Sequence, residues 1–390
     1  MPYVPQVRHI DRIRRAIEGR APHAGGESTR LASSYWRSLE QYHLDPGLTK
    51  GPRILSAPEL RDVQHREESV LRASGQCLSR LHETVREADY CVMLTDAQGV
   101  TIDYRVDRER RHDFKRAGLY LGSCWSEREE GTCGVATVLL DSKPITVHKT
   151  DHFRAAFTTL TCSASPIFGL DGELIGVLDA SAIRSPDERE SQRLVNHIVR
   201  NGAMLIEDSF FLDATTDCWV LLAHRNRHYV EAQPEILIAF DARGMAVAAN
   251  RRARECVPGL ERLPRRVDEL FDVRAERLLD VKPGRDRVSL KRIGDGVPLY
   301  ARVRPPVTSA PRRAASRDRE PAAHDQVSTQ ATPETAPMFN ESDTLERQRI
   351  VAALTQAKWR PDEAARTLDI SRATLYRRIT RFAIVAPHRR

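Results

Sequence analysis

The 390-residue chain lacks several features that would place it in a specialised class of protein. Its seven cysteines include no Cys-x-x-Cys pair, which argues against a disulfide framework and favours reduced thiols in a cytoplasmic protein. No apolar run reaches the ~20 residues of a membrane helix, and the N-terminus has no apolar segment typical of a secretory signal. With 41% hydrophobic and 29% charged residues, the composition is instead that of ordinary soluble protein, and the length suits two to four domains.

Positive charge is concentrated at the C-terminus, where residues 341–390 carry eleven basic and six acidic side chains. A basic, periodic segment fits the footprint of a protein that binds nucleic-acid phosphates, although a solvated helix face can carry the same charge. The pattern predicts a first helix from about Asp343 to Lys358, with Ser342 as its N-cap. A second helix is predicted to begin near Pro361, which suits a first helical turn.

A third helix is predicted to begin after the cap Ser371 and to bury Leu375 and Ile379, four residues apart. A short helix, a tight turn and a basic capped helix make a helix-turn-helix, whose last helix enters the major groove of DNA. The residues expected to contact DNA are Ser371, Arg372, Thr374, Arg377, Arg378 and Arg381.

The segment from Leu345 to Ile384 contains the pattern AAxxLxISRxTLYRRI and closely resembles the Fis-type helix-turn-helix that ends many bacterial enhancer-binding regulators. It departs from that family at Arg360, where an asparagine cap is usual. The resemblance implies that the basic face of the third helix contacts double-stranded DNA. It also implies that the first helix helps to form a homodimer on a palindromic site.

The middle of the chain alternates short strands with turn signals. Tyr90–Val106 and Leu160–Ala182 each predict a hairpin, the second with Asp171-Gly172 at its turn, and Pro144–Val147 predicts a further strand. A long helix is predicted from about residue 184 to residue 212. The apolar residues along one face of this helix are Leu194, Ile198, Leu205 and Leu212.

Four blocks of residues in this region resemble a GAF domain of the type found in acetoin-catabolism regulators. They are Gly122, Trp125, Glu127 and Gly131-Thr132; Asp151-His152-Phe153; Thr161-Cys162-Ser163-Ala164 with Pro166-Ile167; and Gly172, Gly176 and Val177-Leu178-Asp179. The family often has Asn-Ala-Ile-Gly after Gly-Thr, whereas this chain has Cys133-Gly134-Val135-Ala136. That difference lies near the expected ligand pocket and could change what is bound.

Residues 234–304 predict another α+β unit. The segment PEILIAFDARGMAVAANRRARE reads as strand, Asp-Ala-Arg-Gly turn, strand and helix, and later strands are expected near Val288–Ile293 and Leu299–Val303. This unit resembles a PAS-like domain, in the position where such regulators carry one. Residues 305–338 are rich in Pro, Ala, Ser and Thr and predict a flexible linker.

The expected fold class is therefore a multidomain α+β protein with an all-α C-terminal domain. The predicted domains are an N-terminal helical lead-in that caps the GAF domain (1–65), the GAF sensory domain (66–212), the PAS-like domain (213–304), the linker (305–338) and the Fis-type helix-turn-helix (339–386).

Full-length members of the resembled family carry an ATPase module between the sensory half and the helix-turn-helix. Such a module holds nucleotide phosphates with a G-x-x-x-x-G-K-[ST] loop. This chain contains no such sequence, and the 34 residues of the predicted linker are too few for the module. We therefore expect no ATP hydrolysis and no remodelling of sigma-54 polymerase.

The residues expected to line a small-molecule pocket are Trp125, Cys133, Phe153 and Phe157, with core packing as the alternative interpretation. The cysteines and histidines between residues 124 and 162 lack the tight spacing of metal ligands, so neither a metal nor another cofactor is predicted. Asp151 and His152 are expected to support a loop rather than to contact a ligand.

The sequence thus predicts a cytoplasmic bacterial transcription regulator that is not an enzyme. Its expected partners are DNA, a small organic effector, a second copy of the chain and RNA polymerase, with no membrane. A repressor or co-regulator that competes with a full-length paralogue is a variant of the same hypothesis. The alternatives are a GAF-fold reductase that uses Cys124 and Cys133, and a DNA-architectural protein without a sensory role.

Overall fold

A computed structural model describes residues 4–18, 26–280, 287–307, 341–357, 363–364, 367–368 and 375. The chain divides into two compact units, residues 1–313 and 314–390. Among the described residues, no helix is both long and apolar enough to cross a membrane.

The described helices are α1 (Val4–Glu18), α2 (Glu27–Trp36), α3 (Ala57–Arg66), α4 (Glu68–Val85), α5 (Arg111–Arg116), α6 (Glu127–Glu130), α7 (Gly134–Asp141), α8 (Arg193–Ala214), α9 (Arg251–Cys256), α10 (Val267–Leu270), α11 (Ala275–Leu279) and α12 (Glu341–Gln356). The described strands are β1 (Tyr90–Asp96), β2 (Thr101–Arg105), β3 (Ile145–His148), β4 (Thr161–Phe168), β5 (Leu174–Ala182), β6 (Trp219–His224), β7 (Ile236–Phe240), β8 (Met245–Ala249), β9 (Arg265–Arg266), β10 (Val288–Lys291) and β11 (Pro298–Arg304).

The first sheet is antiparallel, with the strand order β2-β1-β5-β4-β3. Both predicted hairpins are present, and the Asp171-Gly172 turn lies between β4 and β5 as expected, with Gly172 at a φ of 81° that glycine adopts without strain. Both faces of this sheet are covered, so β1 is buried along its whole length. One face packs against α3, α4 and α8, and the other packs against α1, α2 and α7.

Helix α8 differs from its prediction in two ways. It begins at Arg193 rather than near residue 184, because Ser185 bonds Thr161 and the Asp187 carbonyl bonds His148, which holds the preceding segment in an irregular path. Half of the predicted apolar face also points outward, since Leu194 is 67% and Leu205 is 55% exposed, whereas Ile198 and Leu212 are half-buried against the core. The small residues of the opposite face, Gly202 and Ala203, instead approach the sheet and α4.

The second sheet is antiparallel, with the order β10-β11-β6-β7-β8-β9. It contains the strands, turn and helix predicted between residues 234 and 304. Strand β6 (Trp219–His224) was not predicted, yet it lies centrally between β11 and β7. Helices α9, α10 and α11 contribute to the core on one face, and Phe211 of α8 packs on the other. The PAS-like assignment of this unit stays a prediction.

The C-terminal unit contains α12, which ends at Gln356, close to the predicted boundary. The helix begins at Glu341, so Ser342 lies inside its first turn and is not the N-cap that was predicted. Ile350 and Leu354 of α12 share a core with Ala364 and Leu375, as the helix-turn-helix prediction requires. Most of the predicted linker, residues 308–338, lies outside the described residues.

Candidate functional site

The four residues predicted to line a ligand pocket lie together in the core between the first sheet and the N-terminal helices. Trp125, Cys133, Phe153 and Phe157 are at most 3% exposed, and the rings of Trp125 and Phe157 lie 5.4 Å apart. The Trp125 indole donates a hydrogen bond to the Thr101 hydroxyl at 3.2 Å. The structure therefore brings the four residues into one buried cluster, in which their side chains pack against one another and against the surrounding core.

Gly131 makes room for Phe153 in this core. Its backbone φ of 70° lies in the left-handed region, and a Cβ atom at this position would lie 2.6 Å from Phe153 Cδ1. The glycine of the Gly-Thr pair is therefore required both by its backbone and by the neighbouring ring. The pair that marked the family resemblance thus has a structural role beside the aromatic cluster.

Cys133 is the N-cap of α7, where its sulfur accepts a hydrogen bond from the Ala136 amide at 3.5 Å. Burial raises the pKa of the Cys133 thiol far above its usual range, and it likewise raises the pKa of Cys162 and of Cys124. Thiols in this state stay protonated at neutral pH and are poor nucleophiles. The geometry therefore gives no support to the reductase alternative.

A chain of buried polar side chains that the sequence analysis did not assemble lies beside this cluster. Ser181 Oγ is 2.5 Å from Asp179 Oδ2 and 3.0 Å from Cys162 Sγ. His152 Nε2 lies 3.3 Å from the same sulfur, and His152 Nδ1 lies 3.0 Å from the carbonyl oxygen of Lys149. The available signal for this network was the pair Asp179 and Ser181, two residues apart and therefore on one face of the mostly apolar strand sequence GVLDASA.

The proton positions in this chain follow from chemistry. Because a carbonyl oxygen only accepts, His152 donates from Nδ1, and burial lowers its pKa to about 4, so its Nε2 is free to accept from the Cys162 thiol. The single proton of Ser181 is donated to Asp179 Oδ2, the shorter of its two contacts, so the contact with Cys162 Sγ is secondary. Burial raises the pKa of Asp179 to about 7, against the hydrogen bond from Ser181, which lowers it.

We expect Asp179→Asn to change how stability depends on pH. The native pKa of about 7 lies above the unfolded value of 3.8, so the stability due to the neutral acid is present below pH 3.8 and is lost as pH rises through 7. Relative to wild type, the variant should gain about 1.4 kcal/mol per pH unit between pH 5 and 6, and about half as much per unit near pH 7. Urea unfolding at each pH measures this. The control Asp171→Asn, at an exposed turn, should show the same pH dependence of stability as wild type. If the difference in stability between Asp179→Asn and wild type did not change with pH, the raised pKa of Asp179 would be contradicted.

The N-terminal helices are bonded to the core of the first sheet. Glu127, only 4% exposed, accepts two hydrogen bonds from Arg37 at 2.7 and 2.8 Å and one from Ser34. Asp151 forms ion pairs with Arg12 and with Arg189. Asp151 thus fastens α1 to the loop that precedes Phe153, which agrees with the structural role expected for it.

Two clefts open near these helices. One, of about 260 Å³, is polar and lies among Glu27, Arg189, Arg193 and Asn196. The other, of about 290 Å³, lies between α1 and residues 39–46 and has an apolar floor. None of the four residues of the aromatic cluster lines either cleft.

The residues predicted to contact DNA lie outside the described residues. They are Ser371, Arg372, Thr374, Arg377, Arg378 and Arg381. Among the described residues, no group of three or more His, Cys, Asp or Glu side chains is placed to hold a metal ion.

Comparison with known proteins identifies two regions of the chain. Residues 76–206 match the GAF domain, and residues 343–382 match the family described as bacterial regulatory protein, Fis family. A partial likeness to the crystal structure of the Escherichia coli DhaR(N)-DhaL complex has 14% identity and a TM-score of 0.41 over 71% of this chain and 99% of that one.

Two curated relatives are regulators of acetoin metabolism. The chain is 40% identical over 287 residues to the acetoin catabolism regulatory protein of Cupriavidus necator, which covers 71% of this chain and 43% of that protein. It is 30% identical to the acetoin dehydrogenase operon transcriptional activator AcoR of Bacillus subtilis, over 39% of this chain and 25% of that protein. The chain spans less than half the length of either relative. It carries a GAF domain and a Fis-type helix-turn-helix, and its homologues include these two regulators of acetoin metabolism.

Proposed function

We propose that the protein is a transcription regulator in which the GAF half binds a small organic effector and the Fis-type segment binds operator DNA sequence-specifically. The observation that carries this proposal is the presence of both domains in one chain that is 40% identical to an acetoin catabolism regulatory protein. By analogy with the names of the relatives, the effector is a small oxygenated compound such as acetoin.

Helix α8 is the proposed connection from the effector-binding half to the second sheet. Near its end, Glu207 accepts a hydrogen bond from the Phe168 amide at 3.1 Å and pairs with Arg251 at 3.3 Å. The next residue, Asp208, accepts a hydrogen bond from Asn250 at 2.8 Å. A displacement of α8 would therefore reach the second sheet. An effector uses this connection only if it binds two arrangements with different affinity.

The outward face of α8 supports a homodimer. The exposed Leu194 and Leu205, the half-buried Ile198 at the edge of the core, and Asn201 follow one another at intervals of four, three and four residues, which is the spacing of a coiled-coil seam. Because the opposite face of α8 already packs on the sheet, the helix has two apolar faces, and a helix of that kind is normally buried. A single asparagine within such a seam fixes the register of two helices.

We expect Leu205→Glu to weaken the dimer on the order of 100-fold, because each copy loses a buried leucine and gains a charge at the two-fold axis. Light scattering across a concentration series measures the association. Leu140→Glu on α7 is the matched control, since Leu140 is 52% exposed but lies outside the seam. Equal dimerisation of the two variants would place the interface elsewhere.

The protein is proposed to act without ATP hydrolysis, since the sequence contains no phosphate loop. RNA polymerase remains a proposed partner.

Selection of bound duplexes from a random DNA pool tests the DNA-binding proposal directly. Enrichment of a palindrome with half-sites about one helical turn apart, or a multiple of it, is the expected result. Recovery of duplexes without any shared sequence would support the architectural alternative instead.

A further inference from the structure

The cleft between α1 and residues 39–46 has the form of a small-molecule site. Its floor is built from Ile13, which is fully buried, and from the half-buried side chains of Ile10, Leu39 and Leu44. Its volume of about 290 Å³ is at the lower end for ligand pockets, which suits a compact molecule rather than a nucleotide.

Polar groups of both kinds lie around this apolar floor. Arg14 and His43 offer hydrogen-bond donors from opposite walls, and the carboxylate of Asp45 offers an acceptor. His43 has a φ of 54°, a conformation that residues other than glycine seldom adopt and that recurs at binding sites. Since Arg14 and Asp45 carry opposite charges, the rim favours a neutral ligand over an ion of either sign.

We propose that this cleft binds a small uncharged hydroxyketone, whose carbonyl oxygen accepts from Arg14 and whose hydroxyl donates to Asp45, with His43 on the opposite wall. The alkyl part of the ligand lies on the floor at Ile10 and Ile13. The proposal rests on the proposed function in one respect only, namely that the ligand is the effector. It places the effector one layer outside the aromatic cluster, at the contact of the N-terminal helices with the GAF core.

Both walls of the cleft are bonded to the loop that carries Phe153 and Phe157. On the α1 side, His9 Nε2 lies 2.9 Å from the Phe153 carbonyl oxygen, and Arg12 pairs with Asp151 at 2.5 Å. On the other side, the Ala155 amide donates to the Pro46 carbonyl oxygen at 2.8 Å. A ligand that sets the distance between the walls therefore acts on residues 151–157, which pack on the sheet. A ligand in the cleft would thus bind arrangements with different wall spacings with different affinity, which is what a ligand-induced shift between two conformations requires.

Calorimetric titration of the full chain with acetoin tests the site. Ile10→Trp fills the cleft and should lower the affinity for acetoin at least tenfold. Arg8→Trp is the matched control, because it introduces the same tryptophan at an exposed position of α1 that does not line the cleft. It should bind acetoin like wild type. Arg14→Met keeps the aliphatic stem but removes the donors, and should also weaken binding about tenfold. Because it leaves the floor intact, it tests the site even if Ile10→Trp fails to fold.

The outcomes separate the site from the sensor. Unchanged affinity in Arg14→Met, or in folded Ile10→Trp, would overturn the site and leave the sensory function standing. Absence of binding by wild type to acetoin, butanone and 2,3-butanediol would overturn the ligand class. Binding that is lost in both cleft variants, together with DNA affinity that acetoin does not change, would uphold the site and contradict the sensory function.

Discussion

Replacing Arg37 by methionine should lower the free energy of unfolding by about 3 kcal/mol, because it leaves the buried carboxylate of Glu127 without its cation. The Arg37 guanidinium donates two hydrogen bonds to this carboxylate, which is almost completely buried beneath α2 and the π-helical residues Arg37–Gln41 that follow it. The loss should appear as a lower urea midpoint, followed by tryptophan fluorescence.

Arg53→Met is the control for this experiment. Arg53 pairs with Glu129, two residues from Glu127, but at 3.3 Å and with both side chains exposed, so its removal should cost no more than about 0.5 kcal/mol. Adding Glu127→Gln to Arg37→Met should restore part of the stability, since the uncompensated charge is then removed. Equal losses for Arg37→Met and Arg53→Met would mean that the N-terminal helices are not held on the core by this pair.

The second large effect concerns the third helix of the Fis-type segment. Arg372→Ala should cost about 1–3 kcal/mol of operator binding and relax sequence preference at one position in each half-site, because the planar guanidinium can bind guanine at two atoms. Arg381→Ala should instead weaken binding to operator and to random DNA by the same factor. It should also reduce the slope of log affinity against log salt concentration by about one, as expected for the loss of a phosphate contact. Titrations of both duplexes across a salt series measure this. If both variants lost affinity by equal factors on both duplexes, the assignment of base reading to Arg372 and of phosphate contact to Arg381 would be contradicted.

The hairpins of the first sheet could be predicted because local chemistry defines them. Asp171-Gly172 and the Asp-Ala-Gln-Gly turn after β1 each lie between β-rich runs, and nothing distant is needed to form them. The start of α8 could not be predicted in the same way. It depends on contacts of Ser185 and Asp187 with strands far away in the sequence, and these contacts override local helix signals.

Strand β6 and the buried polar chain were missed for different reasons. The run CWVLLAH that contains β6 is mostly apolar, but only Val220 in it is β-branched, and it follows α8 so closely that it reads as part of the connection. Asp179, Ser181, Cys162 and His152 come from two strands and a loop, and only the sheet register brings them together. The apolar cleft is likewise formed by two separate segments, α1 and residues 39–46, which only tertiary packing brings together. The sequence therefore predicted the N-terminal helices but not the cleft between them.

The proposed function depends on a link between effector and DNA, and one measurement tests that link most directly. The affinity of the full chain for a selected palindromic duplex should be measured with and without saturating acetoin, after binding of acetoin has been established by calorimetry. The account predicts a change of at least about fivefold, the lower end of ordinary coupling between sites. The same dissociation constant in both conditions would contradict it.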